Sequence, residues 1–138
     1  MKFNTKTRYG VRTMLEIALH ESSGGMYQKD IAKNQELSVR YLDHIIASLK
    51  TAGLITTIKG KKSGYVLTRK PEEISIYDIH SAFEPGINIV DCIAVSKECE
   101  KEPYCAPRFF WEELNSIVKD YLKHTTLADM VAKHHELN

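Results

Sequence analysis

The residues of this chain with the clearest capacity for chemistry are three cysteines, Cys92, Cys99 and Cys105, with six and five residues between them. They lie in a charged stretch without helical periodicity, where burial as small apolar side chains is not implied. Three thiolates in one loop can converge on a metal ion or an iron–sulfur cluster, but the spacing is too wide for a pair of CxxC zinc knuckles. Ligation of a cluster or metal, a cluster-free thiol switch and incidental cysteines all remain open.

A second set of polar residues stands at the start of a helical pattern and could recognise base edges. The set is Arg40, Tyr41, Asp43 and His44, and the opposite face of the same pattern carries Leu42, Ile45, Ile46 and Leu49. Arginine can pair with the edge of guanine, and a carboxylate can accept a hydrogen bond from cytosine. The pattern therefore predicts a recognition helix whose N-terminal end enters a major groove.

The elements around this helix form a helix-turn-helix with a wing. A first helix is predicted from Thr5 to His20, and a short helix begins near Gln28. A turn then leads to Ser38, a natural N-cap for the recognition helix, which ends at Ala52-Gly53. Residues 54–59 and 65–68 read as two strands around a glycine-containing turn, which is a β-hairpin. Basic residues on the hairpin and on the first helix are predicted DNA contacts: Lys59, Lys61, Lys62, Lys6 and Arg8.

The C-terminal half is predicted to be helical beyond the cysteines. Ser75 should cap a fourth helix, and Pro107 should lie in the first turn of a long one. Thr126 and Asp129 resemble a capping box for a last helix. The long helix carries apolar residues whose spacing is close to a heptad seam, which favours packing against another helix. These residues are Trp111, Leu114, Val118, Tyr121 and Leu122. The fold is thus predicted to be mainly α with a small β-hairpin wing. Residues 1–84 would form a winged helix-turn-helix DNA-binding domain, 85–106 a cysteine-bearing sensor loop, and 107–138 a dimerisation helix and a C-terminal helix.

Charge supports a polyanionic partner. The 138 residues carry a net charge of +1, but residues 1–70 hold 13 Lys+Arg against 5 Asp+Glu, and residues 71–138 hold 6 against 13. The halves therefore carry +8 and −7, and the basic half coincides with the helix-turn-helix. We see no membrane-length apolar stretch, no secretory signal and no catalytic motif. These features predict a cytoplasmic protein that is not an enzyme.

The sequence resembles the IscR/NsrR-type winged helix-turn-helix transcriptional regulators, the Rrf2 family, over nearly its whole length. The similarity lies in TKTRYGVRTMLEIAL, in SVRYLDHIIASLKTAGLITTIKGKKSGYVL, and in the three-cysteine loop that precedes a helix containing Trp111. It implies a homodimer in which long helices cross and each subunit offers one winged helix to a palindromic operator in double-stranded DNA. It also implies a 2Fe-2S or 4Fe-4S iron–sulfur cluster, used for sensing redox state, nitric oxide or cluster status, in members that keep the cysteines.

The resemblance assigns roles to single residues. It places Cys92, Cys99 and Cys105 as cluster ligands, Tyr41 and Asp43 as base-reading residues, and Lys59 as a wing residue that enters the minor groove. The chain departs from the family pattern in three places. Its first cysteine interval is one residue longer, and Arg108 and Arg8 stand where two branches of the family use a histidine and an aspartate ligand. The fourth ligand is therefore unassigned, and a cluster-free regulator that responds to thiol chemistry or a partner remains the alternative.

Overall fold

Helices and three short strands make up the part of the chain described by the computed structural model, which covers residues 2–61, 64–90 and 105–138. In chain order the elements are α1 (Thr5–Leu19), β1 (Met26–Tyr27), α2 (Gln28–Gln35), α3 (Val39–Thr51), β2 (Ile55–Thr57), β3 (Gly64–Leu67), α4 (Ile76–Ser81), α5 (Ala106–His124) and α6 (Leu127–Leu137). This architecture confirms the predicted fold class. None of the described helices has the length and apolar composition that crossing a bilayer requires.

Side-chain caps start the helices where the sequence predicts. Ser38 accepts a backbone N–H bond at the start of α3. Ser75 and Asp78 form a capping box at α4, and Thr126 and Asp129 form one at α6. Each cap satisfies N–H groups that have no partner within the helix, and so fixes where that helix begins.

The predicted hairpin is present and gains a third strand. The antiparallel sheet has the order β1-β3-β2, and Tyr65 of β3 lies opposite both Met26 of β1 and Thr57 of β2. Just before β1, Gly25 has φ +107°, and a Cβ atom there would lie 2.5 Å from the carbonyl oxygen of Tyr65. Only glycine fits this approach, so Gly25 allows β1 to pair with the wing.

One apolar core joins the winged helix-turn-helix to the C-terminal helix. Its fully buried members are Met14, Ile17, Ile31, Leu42, Ile45, Leu49, Leu54, Ile74, Ile79 and Leu127. Leu127 of α6 donates its backbone N–H to the carbonyl of Ile74 at 2.8 Å, and Ile76 donates to Thr125 at 2.9 Å. These bonds hold α6 beside the start of α4, and α6 also packs along α1.

The long helix α5 packs against α4, as its apolar spacing predicts, and carries a second apolar face that stays exposed. Trp111, Val118 and Leu122 are half-buried, whereas Tyr121 is 71% exposed. Tyr121 belongs instead to a second apolar face with Phe110 and Ile117, which are 57% and 58% exposed. At about 100° per residue the two faces are roughly a quarter-turn apart. Of the five predicted seam residues, Trp111, Leu114, Val118 and Leu122 are thus half-buried, and Tyr121 lies on the exposed face.

Candidate nucleic-acid interface

The N-terminal half of α3 presents polar side chains outward, as the sequence predicts. Arg40, Asp43 and His44 are exposed, while the apolar side of the helix is buried in the core. The N-cap at Ser38 leaves this end of α3 well defined. Arginine, carboxylate and imidazole groups at the start of one helix can donate to and accept from base edges.

Tyr41 is half-buried and packs against α1. Its ring meets the ring of Tyr9 edge to face, with centroids 6.0 Å apart and planes at 85°. The guanidinium of Arg12 lies 5.1 Å from the centroid of Tyr9, within cation–π range. These contacts place the guanidinium of Arg12 beside the Tyr9–Tyr41 pair, although Arg12 also borders a groove that Leu122 and Met130 line.

A buried amide, which the sequence interpretation missed, connects α3 to its surroundings. Gln28, the first residue of α2, is only 6% exposed. Its Nε2 donates to Asp43 Oδ1 and, at 3.3 Å, to the carbonyl of Val39, while Tyr65 Oη donates to Gln28 Oε1 at 3.4 Å. The partners are 11, 15 and 37 residues away in the chain, so no local pattern could have indicated this cluster.

The phenol of Tyr65 stays protonated in this setting. Burial raises the pKa of Tyr65, and the negative charge of Asp43 raises it further. The protonated hydroxyl can therefore serve as the donor toward Gln28. Lys50 of α3 lies 5.9 Å from the Tyr65 ring centroid, which adds a second contact between α3 and strand β3.

The wing carries its lysines on the exposed turn between β2 and β3. Lys59 and Lys61 are both exposed, and Lys61 donates its backbone N–H to the carbonyl of Ile58 at 3.0 Å. Gly60 between them has φ +76°, a conformation that glycine adopts without strain. Lys62, the third predicted wing contact, lies outside the described residues.

The basic residues of α1 divide between two sides of the helix. Lys6 and Arg8 are exposed, and Arg8 donates to the hydroxyl of Thr5 at 3.4 Å. Arg8 also borders an apolar groove of about 370 Å³, together with Leu122 of α5 and Met130 of α6. This location puts Arg8 beside the C-terminal helices, so its assignment as a DNA contact stays a prediction.

Val39 is a further exposed residue on the recognition helix that the sequence interpretation did not select. It is the first residue of α3, and 52% of its surface is exposed. Apolar side chains in this position can contact the methyl group of thymine. The available signal was a valine directly after the predicted N-cap, where burial is not required.

Of the three cysteines, only Cys105 lies within the described residues, and Cys92 and Cys99 lie outside them. Cys105 is half-buried at the N-cap position of α5 and is not part of a disulfide. Cys105 therefore places one thiol at the start of α5. Within residues 2–61, 64–90 and 105–138 no three His, Cys, Asp or Glu side chains group as a metal site.

The two arginines at the departures from the family pattern cannot replace the missing ligand. Arg108 Nε lies 3.0 Å from the carboxylate of Glu112, one turn along α5. Arg8 is on α1, and a guanidinium offers only N–H donors and no free lone pair.

Comparison with known proteins decides the family. The sequence model of the Rrf2 family, described as "Iron-dependent Transcriptional regulator", matches residues 3–133. This chain belongs to the Rrf2 family. It is thus a transcriptional regulator, and the relatives that it matches are regulators rather than enzymes.

The relatives that this Rrf2 regulator matches include proteins named Rrf2, IscR and CymR. Protein rrf2 of Nitratidesulfovibrio vulgaris is 37% identical over 95% of this chain and 87% of its own length. The regulator CymR of Bacillus subtilis is 36% identical over 96% of this chain and 91% of its own length. Among solved structures, B. subtilis CymR, "the Global Cysteine Regulator", superimposes with a TM-score of 0.80 and 35% identity. The match covers 96% of this chain and 97% of the CymR chain. IscR of T. potens has a TM-score of 0.80 with 32% identity, over 100% of this chain and 91% of the IscR chain.

Proposed function

We propose that this Rrf2 protein is a homodimer that binds double-stranded DNA in a sequence-specific manner through α3 and the wing. The observation that carries the proposal is the exposed polar start of α3, held by the Gln28 and Tyr65 hydrogen bonds against the strand that carries the wing. The +8 charge of residues 1–70 supports a polyanionic partner for this half of the chain.

Within this proposal, α3 reads base edges in the major groove. Arg40 would donate to guanine, Asp43 would accept from the amino group of cytosine, and Val39 would contact a thymine methyl. His44 completes the polar set. Tyr41, which packs against α1, would contact the bases or the adjoining phosphate backbone. Direct contacts of this kind determine which sequence is bound.

The wing and the first helix would contact the DNA backbone. Lys59 and Lys61 are exposed on the turn, and Lys62 belongs to the same turn by sequence. Lysine contacts to phosphate give affinity without sequence information and release counterions. Lys6 and Arg8 would add contacts from α1, although the position of Arg8 beside α5 and α6 favours Lys6 as the stronger candidate.

Dimerisation would use the exposed apolar face of α5. Among the large apolar side chains that are exposed in the described residues, four of six lie on this helix: Phe109, Phe110, Ile117 and Tyr121. An apolar face of this kind on a water-soluble regulator favours burial against a second copy. A two-fold dimer would present two recognition helices to a palindromic operator, with half-sites about one helical turn apart. Residues 1–84, 85–106 and 107–138 would then serve as the reading, sensing and dimerising parts.

For sensing, we propose that Cys92, Cys99 and Cys105 supply three thiolates to an iron–sulfur cluster. Cys105 supports this role because it directly precedes α5, so that ligation there is transmitted to the proposed dimer helix. A bound cluster would supply an oxidation state and a charge that respond to redox conditions or nitric oxide. An effector shifts the regulator toward DNA binding only by binding one form more tightly than the other.

The second candidate is a cluster-free regulator that responds to thiol chemistry or to a partner. Two observations favour it: arginine stands at both positions where family branches place an additional ligand, and CymR, named a cysteine regulator, is 36% identical to this chain. In this version the cysteines would report directly on thiol oxidation, or would have no sensing role.

Anaerobic reconstitution with iron and sulfide separates the two candidates. The wild-type protein should turn brown and hold iron and sulfide that the Cys92→Ala, Cys99→Ala, Cys105→Ala triple variant does not hold. Operator binding should then differ between the loaded and cluster-free wild type but not change for the triple variant. Equal iron and sulfide in both proteins would reject these cysteines as ligands, and absent iron with retained operator binding would establish the cluster-free alternative.

A further inference from the structure

We infer that Gln28 is a specificity-positioning residue: it holds the carboxylate of Asp43 in the orientation in which α3 presents it to a base. The inference rests on the proposed base-reading role of α3. It assigns to a buried residue of α2, which has no access to DNA itself, control over which base pairs the protein prefers.

The hydrogen bonds of Gln28 determine the orientation of its amide. Nε2 donates to a carboxylate and to a backbone carbonyl, and neither of these groups can donate in return. Rotating the amide by 180° would place Oε1 against two acceptor oxygens, which would repel it. Tyr65 donates to Oε1 from the other side, and the raised pKa of Tyr65 keeps that proton in place. At 6% exposure Gln28 has little access to water that could replace these partners.

This arrangement prepares Asp43 for directional recognition. Asp43 is exposed, and an unsupported carboxylate at an exposed helix position would exchange between rotamers and remain hydrated. The bond to Gln28 occupies Oδ1 and leaves Oδ2 to accept from an exocyclic amino group. The entropy cost of ordering the Asp43 side chain is therefore met before DNA binds. This increases the difference in binding free energy between a base that donates to Oδ2 and one that does not.

The same amide also joins three parts of the reading surface. Gln28 begins α2, its bond to the carbonyl of Val39 holds the first turn of α3, and Tyr65 lies in β3 opposite Thr57 of the wing. A shift of the wing relative to α3 would therefore disturb Gln28, and through it Asp43. A residue that served only for packing would affect stability without altering the preference for particular bases.

Selection of bound sequences from a random duplex library, with full-length protein, tests the inference. The wild type, Asp43→Ala, Gln28→Met and the Asp43→Ala, Gln28→Met double variant are compared, and thermal unfolding verifies that each is folded. At a subset of positions in the bound duplex, Asp43→Ala should lower the preference for the favoured base by about 5- to 150-fold. Gln28→Met should lower the preference at those same positions by at least about threefold while leaving the other positions and the salt dependence unchanged. The double variant should lose no more than Asp43→Ala alone.

Asp43→Asn and Tyr65→Phe complete the set. Asp43→Asn keeps an oxygen for Gln28 but adds N–H donors, so it should change the preferred base rather than abolish the preference. Tyr65→Phe frees Oε1 of Gln28 and should weaken the preference at the Asp43 positions. If Gln28→Met does not fold, Tyr65→Phe decides the question.

The outcomes separate the inference from the proposed function. A wild type that enriches no sequence overturns the proposed function. A wild type that enriches a sequence, with a folded Gln28→Met equally selective at the Asp43 positions, overturns the role of Gln28 alone. If Gln28→Met does not fold, a folded Tyr65→Phe that is equally selective at those positions has the same consequence.

Discussion

Gly10 of α1 lies directly against the aromatic ring of Phe83, which follows α4. A Cβ atom added to Gly10 would stand 2.3 Å from Cε2 of Phe83 and 2.7 Å from its Cζ. Gly10 is buried and has ordinary helical backbone geometry, so the requirement for glycine comes from this contact and not from a special φ. The contact sets how closely α1 approaches the end of α4.

Replacing Gly10 by alanine should therefore destabilise the protein. In an unobstructed helix this change would stabilise by about 0.8–1 kcal/mol, but here overpacking against Phe83 should cost about 1–3 kcal/mol and exceed that gain. Urea unfolding followed by circular dichroism measures the difference. The Gly10→Ala, Phe83→Leu double variant is the control, since the shorter side chain makes room for the methyl group. A Gly10→Ala protein more stable than wild type would show that the ring moves aside freely.

Most of the fold could be predicted because its signals are local. The caps at Ser38, Ser75 and Thr126 are each followed by a helix with an apolar face, and the β-branched run after Gly53 leads into the wing. Local hydrogen bonding and side-chain periodicity determine such elements before tertiary packing contributes.

What could not be predicted depends on contacts between distant residues. Strand β1 has two residues, too few to show alternation, and exists because Gly25 lets the backbone approach Tyr65. The bond from Gln28 to Asp43 spans 15 residues and leaves no periodic trace. On α5, residues 110, 117 and 121 and residues 111, 118 and 122 both have helical spacing. The packing of α5 within the chain leaves the second set half-buried and the first set exposed, which the spacing alone does not indicate.

The wing lysines should dominate the salt dependence of DNA binding. Each lost phosphate contact reduces the slope of log K against log salt by about 0.9, so Lys59→Ala with Lys61→Ala should flatten the slope of a dimer by roughly 2 to 4. Fluorescence anisotropy at several salt concentrations measures it. Lys133→Ala on α6, a comparably exposed lysine paired with Glu136, is the control and should leave the slope unchanged. An unaltered slope in the wing variant would remove these lysines from the contact surface.

Charged substitutions on the exposed apolar face of α5 should separate the proposed dimer. Phe110→Asp and Ile117→Asp place a carboxylate where burial against a second copy is expected, and a buried unpaired charge is strongly unfavourable. Analytical ultracentrifugation should give twice the chain mass of 15.8 kDa for wild type and the chain mass for the variants. Lys133→Asp, at an exposed position of α6, should remain dimeric. Dimers in all four proteins would place the interface elsewhere.

Alkaline pH should weaken the fold through Tyr65. Because the pKa of Tyr65 in the folded state is raised above its usual value of 10.0, the folded protein holds this proton more tightly than the unfolded chain. The associated stability is fully present below pH 10 and is lost as the pH rises through the folded pKa. Tyr65→Phe should show a smaller loss of unfolding free energy between pH 9 and 11 than wild type. Identical pH profiles would show that this phenol does not contribute.

The most direct test of the DNA-reading account is a comparison of binding to the selected duplex and to a scrambled duplex of the same composition near physiological salt. Wild-type protein should prefer the selected sequence by about a thousandfold or more, as specific regulators do. Arg40→Ala should lower that ratio by about 5- to 150-fold, with the affinity for the scrambled duplex changed far less. A wild-type ratio close to one, with no sequence enriched from the library, would contradict the claim that α3 and the wing read DNA.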